Sequence, residues 1–434
     1  MFAARRDGPA AQACARGQRP FLQGCQYPGI KGDLRMDSIF FYRPPEAAGP
    51  ADGPLKGMNI AIQPNVSAAG WPTDAGSNAL ARFVALEDAT VVERLRQAGA
   101  SICGSTRMSE FGFGLDGSRA GEAIKRNAAD AELVLDLMGE SRLAASAAAV
   151  CGFKPSYGLV SRFGLIGLIP SMECCGILSG SLKNIREILK AIAGPDERDF
   201  SLPDETTPDF SPQNIDPGKT IVGIIKEAQG LWPAGQESLY RAAIETLGDA
   251  GLTVKELSLP DFPLFLPVHR IVGAVEASSC TGRYDSVRYG VRVPGAKNWN
   301  EMYLASRGAA FGPLLKSYLF QGAFFQFERY DAYEDACRIR ARLVTGMQRL
   351  AAQADFWAIL VESGGPAAPA SLGDTYAQFA LTAYANVAGL PALYLPPAQG
   401  RPHPGVQLSG PRLSDARLLA LGEHLLNARR GGNA

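Results

Sequence analysis

Apolar residues at Leu80, Phe83, Val84, Val91, Val92 and Leu95 recur at three- and four-residue spacing. That period predicts a helix over 79–99, closed by Gly99, with a new strand at 101–103. The short apolar run 58–62 reads as a strand, preceded by a Pro/Gly/Ala linker at 44–54. Residues 182–192 repeat the helical spacing and stop at Gly194-Pro195. Then 220–225 reads as a buried strand, 238–250 as a helix capped by Gly251, and 254–257 as another strand. The recurring strand–helix–strand order predicts an α/β class with a largely buried sheet. Residues 300–350, rich in helix formers and aromatics, predict a helical layer. By contrast, 1–35 shows neither period. Its five arginines lack a continuous apolar stretch, so no secretory signal is expected there. Residues 1–36 read as a disordered leader or as an extension upstream of a true start at Met36.

Composition narrows the class. Among 434 residues, 43 basic residues balance 43 acidic ones, which argues against the basic stripe of a nucleic-acid binder. The Ala-rich run 143–153 is far shorter than the roughly 18 apolar residues of a membrane helix, so no membrane is expected. The eight cysteines form no CxxC pair, and His269, His403 and His424 are scattered, so no metal and no cofactor are expected. Cys174 and Cys175 lie in an apolar stretch and read as packing. A cytoplasmic, reduced protein is the natural expectation.

Several blocks carry a resemblance. Residues 152–165 (GFKPSYGLVSRFGL), 277–290 (ASSCTGRYDSVRYG), 104–114 (GSTRMSEFGFG), 327–333 and 386–391 (NVAGLP) follow one another in register. In this the chain resembles the amidase signature family, and within it the A subunits of glutamine-dependent aspartyl/glutamyl-tRNA amidotransferases, from about residue 53 to 426. The resemblance implies a single domain over 37–434, a mixed central β-sheet covered by helices on both sides. It also implies an amide-cleaving site made of a lysine base, a bridging serine, a nucleophilic serine and a glycine-rich oxyanion loop.

Matched position by position, that site is altered. The base position in 60–66 (IAIQPNV) is Gln63, whose carboxamide has no useful basicity. The nearest lysine, Lys56, precedes the strand. The nucleophile motif falls on 136–142 (DLMGESR), where Asp136, Gly139 and Arg142 are in register and the serine's place is Glu140. Ser141 would fit only by a slip that breaks both flanking matches. Met138 replaces a glycine of the oxyanion loop, with the loss of backbone freedom that entails. The bridging serine's counterpart is Ser118, in a loop that lacks a stretch of about twenty residues, where an ordinary loop is about 4–6. Counting from the 331–333 motif, a glutamine-holding arginine falls on Ala341, flanked by Arg340 and Arg342. Counting back from Asn386, an aspartate falls on Phe379. Arg142 and Arg340 remain as possible substrate contacts. A buried Glu140 would need a cation, Arg142 or Arg119, to stay charged.

Base, nucleophile and oxyanion glycine are thus all replaced, while Gly158, Gly164, Pro170, Asp285 and Pro391 persist. Losing one member of such a site costs on the order of 10⁶-fold in rate, and further losses little more. The resemblance therefore implies a folded paralogue without the chemistry, a pseudoenzyme with a degenerate Ser-Ser-Lys triad. It would act as a scaffold or regulatory partner of an amidotransferase B-type or C-type subunit, or as a binder of a small-molecule amide or amino acid. The alternative is a genuine A subunit or amidase releasing ammonia from glutamine.

Overall fold

The computed structural model describes residues 39–45, 52–232, 235, 237–361, 371–397 and 405–431; the leader 1–36 lies outside them. In chain order the described residues form β1 (Phe40–Tyr42), β2 (Asn59–Ile62), α1 (Thr90–Gln97), β3 (Ser101–Thr106), α2 (Glu122–Lys125), β4 (Ala131–Asp136) and α3 (Glu140–Ala148). There follow β5 (Cys151–Lys154), β6 (Cys174–Ser179), α4 (Leu182–Ile192), β7 (Ile221–Ile225), α5 (Lys226–Gln229), α6 (Glu237–Asp249), β8 (Thr253–Leu257) and α7 (Phe265–Thr281). The chain continues with α8 (Trp299–Ala310), α9 (Pro313–Phe327), α10 (Tyr330–Ala351), β9 (Phe356–Val361), α11 (Leu372–Ala377), α12 (Ala383–Val387), β10 (Ala392–Leu395), β11 (Gly405–Ser409) and α13 (Asp415–Gly431).

The strands join in one mixed sheet, ordered β1-β3-β2-β4-β6-β5-β10-β11-β9-β7-β8. β2 pairs parallel with β3 and β4, and β7 parallel with β8 and β9, whereas the centre from β4 through β6, β5, β10 and β11 to β9 is antiparallel. Side-chain alternation along each strand divides the interior in two. Trp357, Ile359, Val361, Ala392 and Tyr394 enter one core, and Phe356, Ala358, Leu360, Leu393 and Leu395 the other. Helices α3, α7, α9, α10, α11 and α12 cover the first core; α1, α4, α6 and α13 cover the second. The fold is the expected α/β sheet with helices on both sides, and α8, α9 and α10 follow one another between residues 299 and 351.

Local sequence explains both the agreement and the main departure. In α4 the buried residues Leu182, Ile185, Ile188, Leu189 and Ile192 form one apolar stripe, and the helix spans the predicted residues. The helix expected over 79–99 is instead a 3₁₀ turn at Asn78–Leu80, an irregular stretch, and α1 from Thr90. Backbone pairing overrides the spacing there. Phe83 O accepts from Thr73 N, Ala85 O from Gly70 N, and Ala85 N donates to Trp71 O. Arg82 has φ 71°, which no α-helix accommodates. The run 143–153 divides between α3 and β5, and among the described residues no helix is long and apolar enough to cross a membrane.

Candidate active site

The site lies where β4 ends and α3 begins. Asp136 closes the strand, Leu137-Met138-Gly139 form the turn, and Glu140 opens the helix. Gly139 is required by conformation and by space. Its φ is 133°, and a Cβ would lie 2.1 Å from the Thr382 hydroxyl oxygen. That hydroxyl donates to Met138 O at 2.7 Å, tying the turn to α12.

Glu140 is buried, 2% exposed. Its Oε2 accepts from the backbone N–H groups of Leu137 at 2.8 Å, Met138 at 2.8 Å and Gly139 at 3.1 Å. Its Oε1 accepts from Gly114 N at 3.3 Å. The carboxyl therefore occupies a nest of converging N–H donors, the kind of backbone arrangement that holds anions. Burial, helped by the negative Asp136, pushes its pKa up to about 8 against the pull of those backbone bonds. Among the described residues neither Arg142 nor Arg119 pairs with Glu140; its hydrogen-bond partners are backbone N–H groups.

Arg142 serves the layer beneath. Fully buried, it donates to Asp136 Oδ1 at 3.1 Å and Asn386 Oδ1 at 2.6 Å, and to Thr382 O and Gln407 Oε1, both at 2.8 Å. Asn386 returns its amide N–H groups to Asp136 Oδ1 at 2.8 Å and to Met172 O at 3.1 Å. Burial alone would raise the Asp136 carboxyl, but the charges of Arg142 and Lys154 overcome it and hold the pKa below the usual carboxylate value. Ser141 donates its hydroxyl to Asp136 Oδ2. Its side chain rests on β6, where a Cβ on Gly176 would lie 2.5 Å from the Ser141 Cβ. No substrate carbonyl could approach that hydroxyl without parting helix from sheet.

Gln63 also ends on this segment, its Oε1 accepting from Leu135 N at 3.0 Å. The structure thus brings Gln63 and Glu140 to backbone N–H groups two residues apart. Ser118 is elsewhere engaged. Half-exposed, its backbone N–H donates to Leu115 O and its hydroxyl oxygen accepts from Ala120 N at 3.2 Å, a local turn. The base of that loop is held by Glu132, buried, which accepts from Gly121 N at 2.7 Å and Thr106 Oγ1 at 2.6 Å. Burial pushes Glu132 up to about 7. Lys56 is exposed and pairs with Asp52 at 2.6 Å.

The positions counted as glutamine contacts separate. Ala341 is exposed on α10, whereas Phe379 is fully buried in the first core. Arg340 donates through Nε to Val387 O at 3.0 Å and through its two terminal nitrogens to the Ser171 hydroxyl and carbonyl oxygens, both at 2.8 Å. Its guanidinium pins the segment before β6 to α12.

Sequence reasoning passed over three neighbours of the turn. His269, buried on α7, places Nε2 2.9 Å from Leu137 O, and burial lowers its pKa to about 4, so the neutral ring donates there. Tyr318 of α9 stacks on Phe113 at 4.4 Å between centroids, and Tyr376 of α11 lies 5.9 Å from the Tyr318 ring. Burial raises both phenols. No local motif marks these residues; only packing of α7, α9 and α11 brings them together. The set supplies a carboxylic acid, a neutral imidazole and phenols.

Comparison with known proteins agrees with this architecture. The family model described as Amidase matches residues 43–135 and 136–419. The glutamyl-tRNA(Gln) amidotransferase A subunit from Natronomonas pharaonis is 35% identical over 411 residues, covering 86% of this chain and 96% of its own. The protein of that name from Picosynechococcus is 33% identical, covering 86% and 84%. Among solved structures, the Thermotoga maritima glutamyl-tRNA(Gln) amidotransferase A subunit superposes with TM-score 0.73 at 21% identity, over 88% of this chain and 86% of that one. A peptide amidase from Stenotrophomonas maltophilia gives TM-score 0.69 at 24% identity, over 87% and 84%.

Proposed function

Starting from the fact that this chain belongs to the Amidase family, we propose that it is a non-catalytic member, a paralogue of the amidotransferase A subunits. Its role is to hold a partner in the cytoplasm, and the first candidate is a B-type or C-type amidotransferase subunit. One observation carries this reading: the Glu140 carboxyl fills the N–H nest of Leu137, Met138 and Gly139. In amide cleavage, donors beside the nucleophile must be free for the oxyanion that forms on the substrate. Here they are already spent on the chain's own acid. Gln63 offers no basicity, and Ser141 is committed to Asp136 beneath the sheet surface.

The test is purified full-length protein incubated with glutamine and asparagine. Ammonia release should match the enzyme-free control, and a fluorophosphonate should label no serine. Co-purification with a B-type subunit would then define the scaffold role. A second reading, a working amidotransferase, draws on the 35% identity to such a protein over most of both chains. Ammonia release above control, or stoichiometric labelling of Ser118 or Ser141, would establish that reading and end the first.

A further inference from the structure

Glu132 on β4 is a second fully buried acid, 0% exposed, and no cation among the described residues pairs with it. Two segments meet its carboxyl, Thr106 Oγ1 at the end of β3 at 2.6 Å and Gly121 N before α2 at 2.7 Å. The same threonine hydroxyl lies 3.3 Å from Ile62 O of β2. A carbonyl oxygen can only accept, and Thr106 has one hydroxyl hydrogen. Ionised, Glu132 draws that hydrogen away from Ile62 O. Neutral, Glu132 gives its own proton to Thr106 Oγ1, which passes its hydrogen on to Ile62 O. Both contacts are then satisfied. The neighbouring elements supply no compensating charge. β2 has no titratable side chain, and Cys103 of β3 and Cys174 and Cys175 of β6 are thiols raised by burial. Asp130, at the entry to β4, is another acid, and Arg43 lies over the Phe40 ring. On α2, Glu122 pairs with Arg126 at 3.5 Å and Lys125 is exposed. Glu140 and Arg142 of α3 are bonded beyond the other end of β4.

What Glu132 holds is the surface segment 115–121. Asp116, Gly117 and Arg119 are exposed on it. Gly114 and Gly121 bound it with φ of 69° and 82°, which glycine adopts freely. Gly121 N on Glu132 and Arg119 N on Arg107 O, at 2.8 Å, tie it to the molecule. The bonds from Ser118 N to Leu115 O and from Ala120 N to Ser118 Oγ stay within it. Gly114 N also donates to Glu140 Oε1, so this stretch runs from one buried acid to the other. A buried carboxylate without a cation must reach water or give up its charge. The exposed segment bonded to Glu132 is what can yield.

We infer that 115–121 is a proton-operated flap, clamped shut by the neutral acid of Glu132 and released when that acid ionises. The inference is independent of whether the site cleaves amides. Hydrogen exchange of the full chain, corrected for the intrinsic rate at each pH, reads the clamp at the Gly121 amide. With the flap closed, burial raises Glu132 from 4.5 to about 7; opening to water returns it toward 4.5. The clamp is therefore complete below 4.5, weakens about tenfold per pH unit, and is lost by about 7. Protection at Gly121 should fall by up to about 300-fold between pH 4.5 and 7 and level off beyond. Glu132→Gln keeps an acceptor for Gly121 and a donor for Thr106, and should give a flat profile. Glu140→Gln should keep the wild-type fall, which assigns it to Glu132. Amides of α4, which covers the second core, should not follow it. A flat wild-type profile overturns the inference. So does a fall that survives Glu132→Gln, that Glu140→Gln abolishes, or that α4 shares in equal measure.

Discussion

Asp136 and Glu140 sit four residues apart, both buried, and their carboxyls are driven in opposite directions. Burial acts on each in the same sense, toward the neutral acid. Asp136 meets the Arg142 guanidinium, the Asn386 amide and the Ser141 hydroxyl, with Lys154 nearby, and stays ionised. Glu140 meets backbone N–H groups and the negative Asp136, and takes a proton. Partners, not depth, decide the charge state. The lower layer is an ion pair completed by amide and hydroxyl bonds; the upper layer is a carboxyl held in a nest of backbone N–H groups.

Breaking the lower layer should produce the largest effect. Arg142→Met strips Asp136 of its cation, and removing one member of a buried pair costs about 3–5 kcal/mol. Urea unfolding should show that loss, against a total stability of about 5–15 kcal/mol. A cost below about 1 kcal/mol would mean that Asp136 had simply taken a proton, and the contrast with Glu140 would collapse.

Next comes the turn between the layers. Gly139→Ala places a Cβ 2.1 Å from the Thr382 hydroxyl at a φ of 133°. Clash and backbone strain together should cost about 3 kcal/mol. Adding Thr382→Ala should return part of that, because it relieves the clash and leaves the strain. A single-variant melting temperature equal to wild type would show that the turn is not held as described.

How far the two layers were legible from sequence follows from the physics of each. Gln63 and Glu140 stand out because their places lie in continuous motifs, where a base and a serine would be expected. That Glu140 is satisfied by N–H groups was not legible, because it depends on how three successive peptides point. An arginine two residues away was the more obvious partner, yet Arg142 faces the sheet. His269 and Tyr376 were invisible for a related reason: on α7 and α11 they are ordinary members of an apolar helix face, and only tertiary packing aims them at Leu137 and Tyr318. The helix α4 was readable because its stripe and its stop agree, whereas 79–89 carries helical spacing but spends its backbone bonds on 70–73.

A pH series sharpens the contrast at smaller amplitude. Glu140 and Glu132 have folded pKa values raised to about 8 and about 7 from 4.5. The folded state therefore holds these protons more tightly than the unfolded chain. The stability they contribute is complete below 4.5 and is lost as pH rises through 7 and then 8. Asp136, with a lowered pKa, contributes in the other sense and loses its share only as pH falls into the acid range. Melting temperature should accordingly decline from pH 6 to pH 9. Glu140→Gln keeps an oxygen for the three N–H groups and should remove the upper part of the decline. A wild-type profile that rises over that interval would place an ionised Glu140 in the nest.

The smallest expected effect belongs to Ser118, and its smallness is informative. If Ser118 shared the environment of Gln63 and Glu140, deleting its hydroxyl would orphan a buried donor, at about 1–3 kcal/mol. It is half-exposed instead, and its oxygen accepts one bond from Ala120 N at 3.2 Å. Water can replace that acceptor, so Ser118→Ala should cost about 0.5 kcal/mol or less. The Glu140 pH transition should be unmoved, because the Glu140 carboxyl is held by residues 114 and 137–139. A midpoint shifted by half a pH unit or more in the Ser118→Ala protein would show that the hydroxyl reaches the nest, and would join Ser118 to Gln63 and Glu140, from which its hydrogen bonds set it apart.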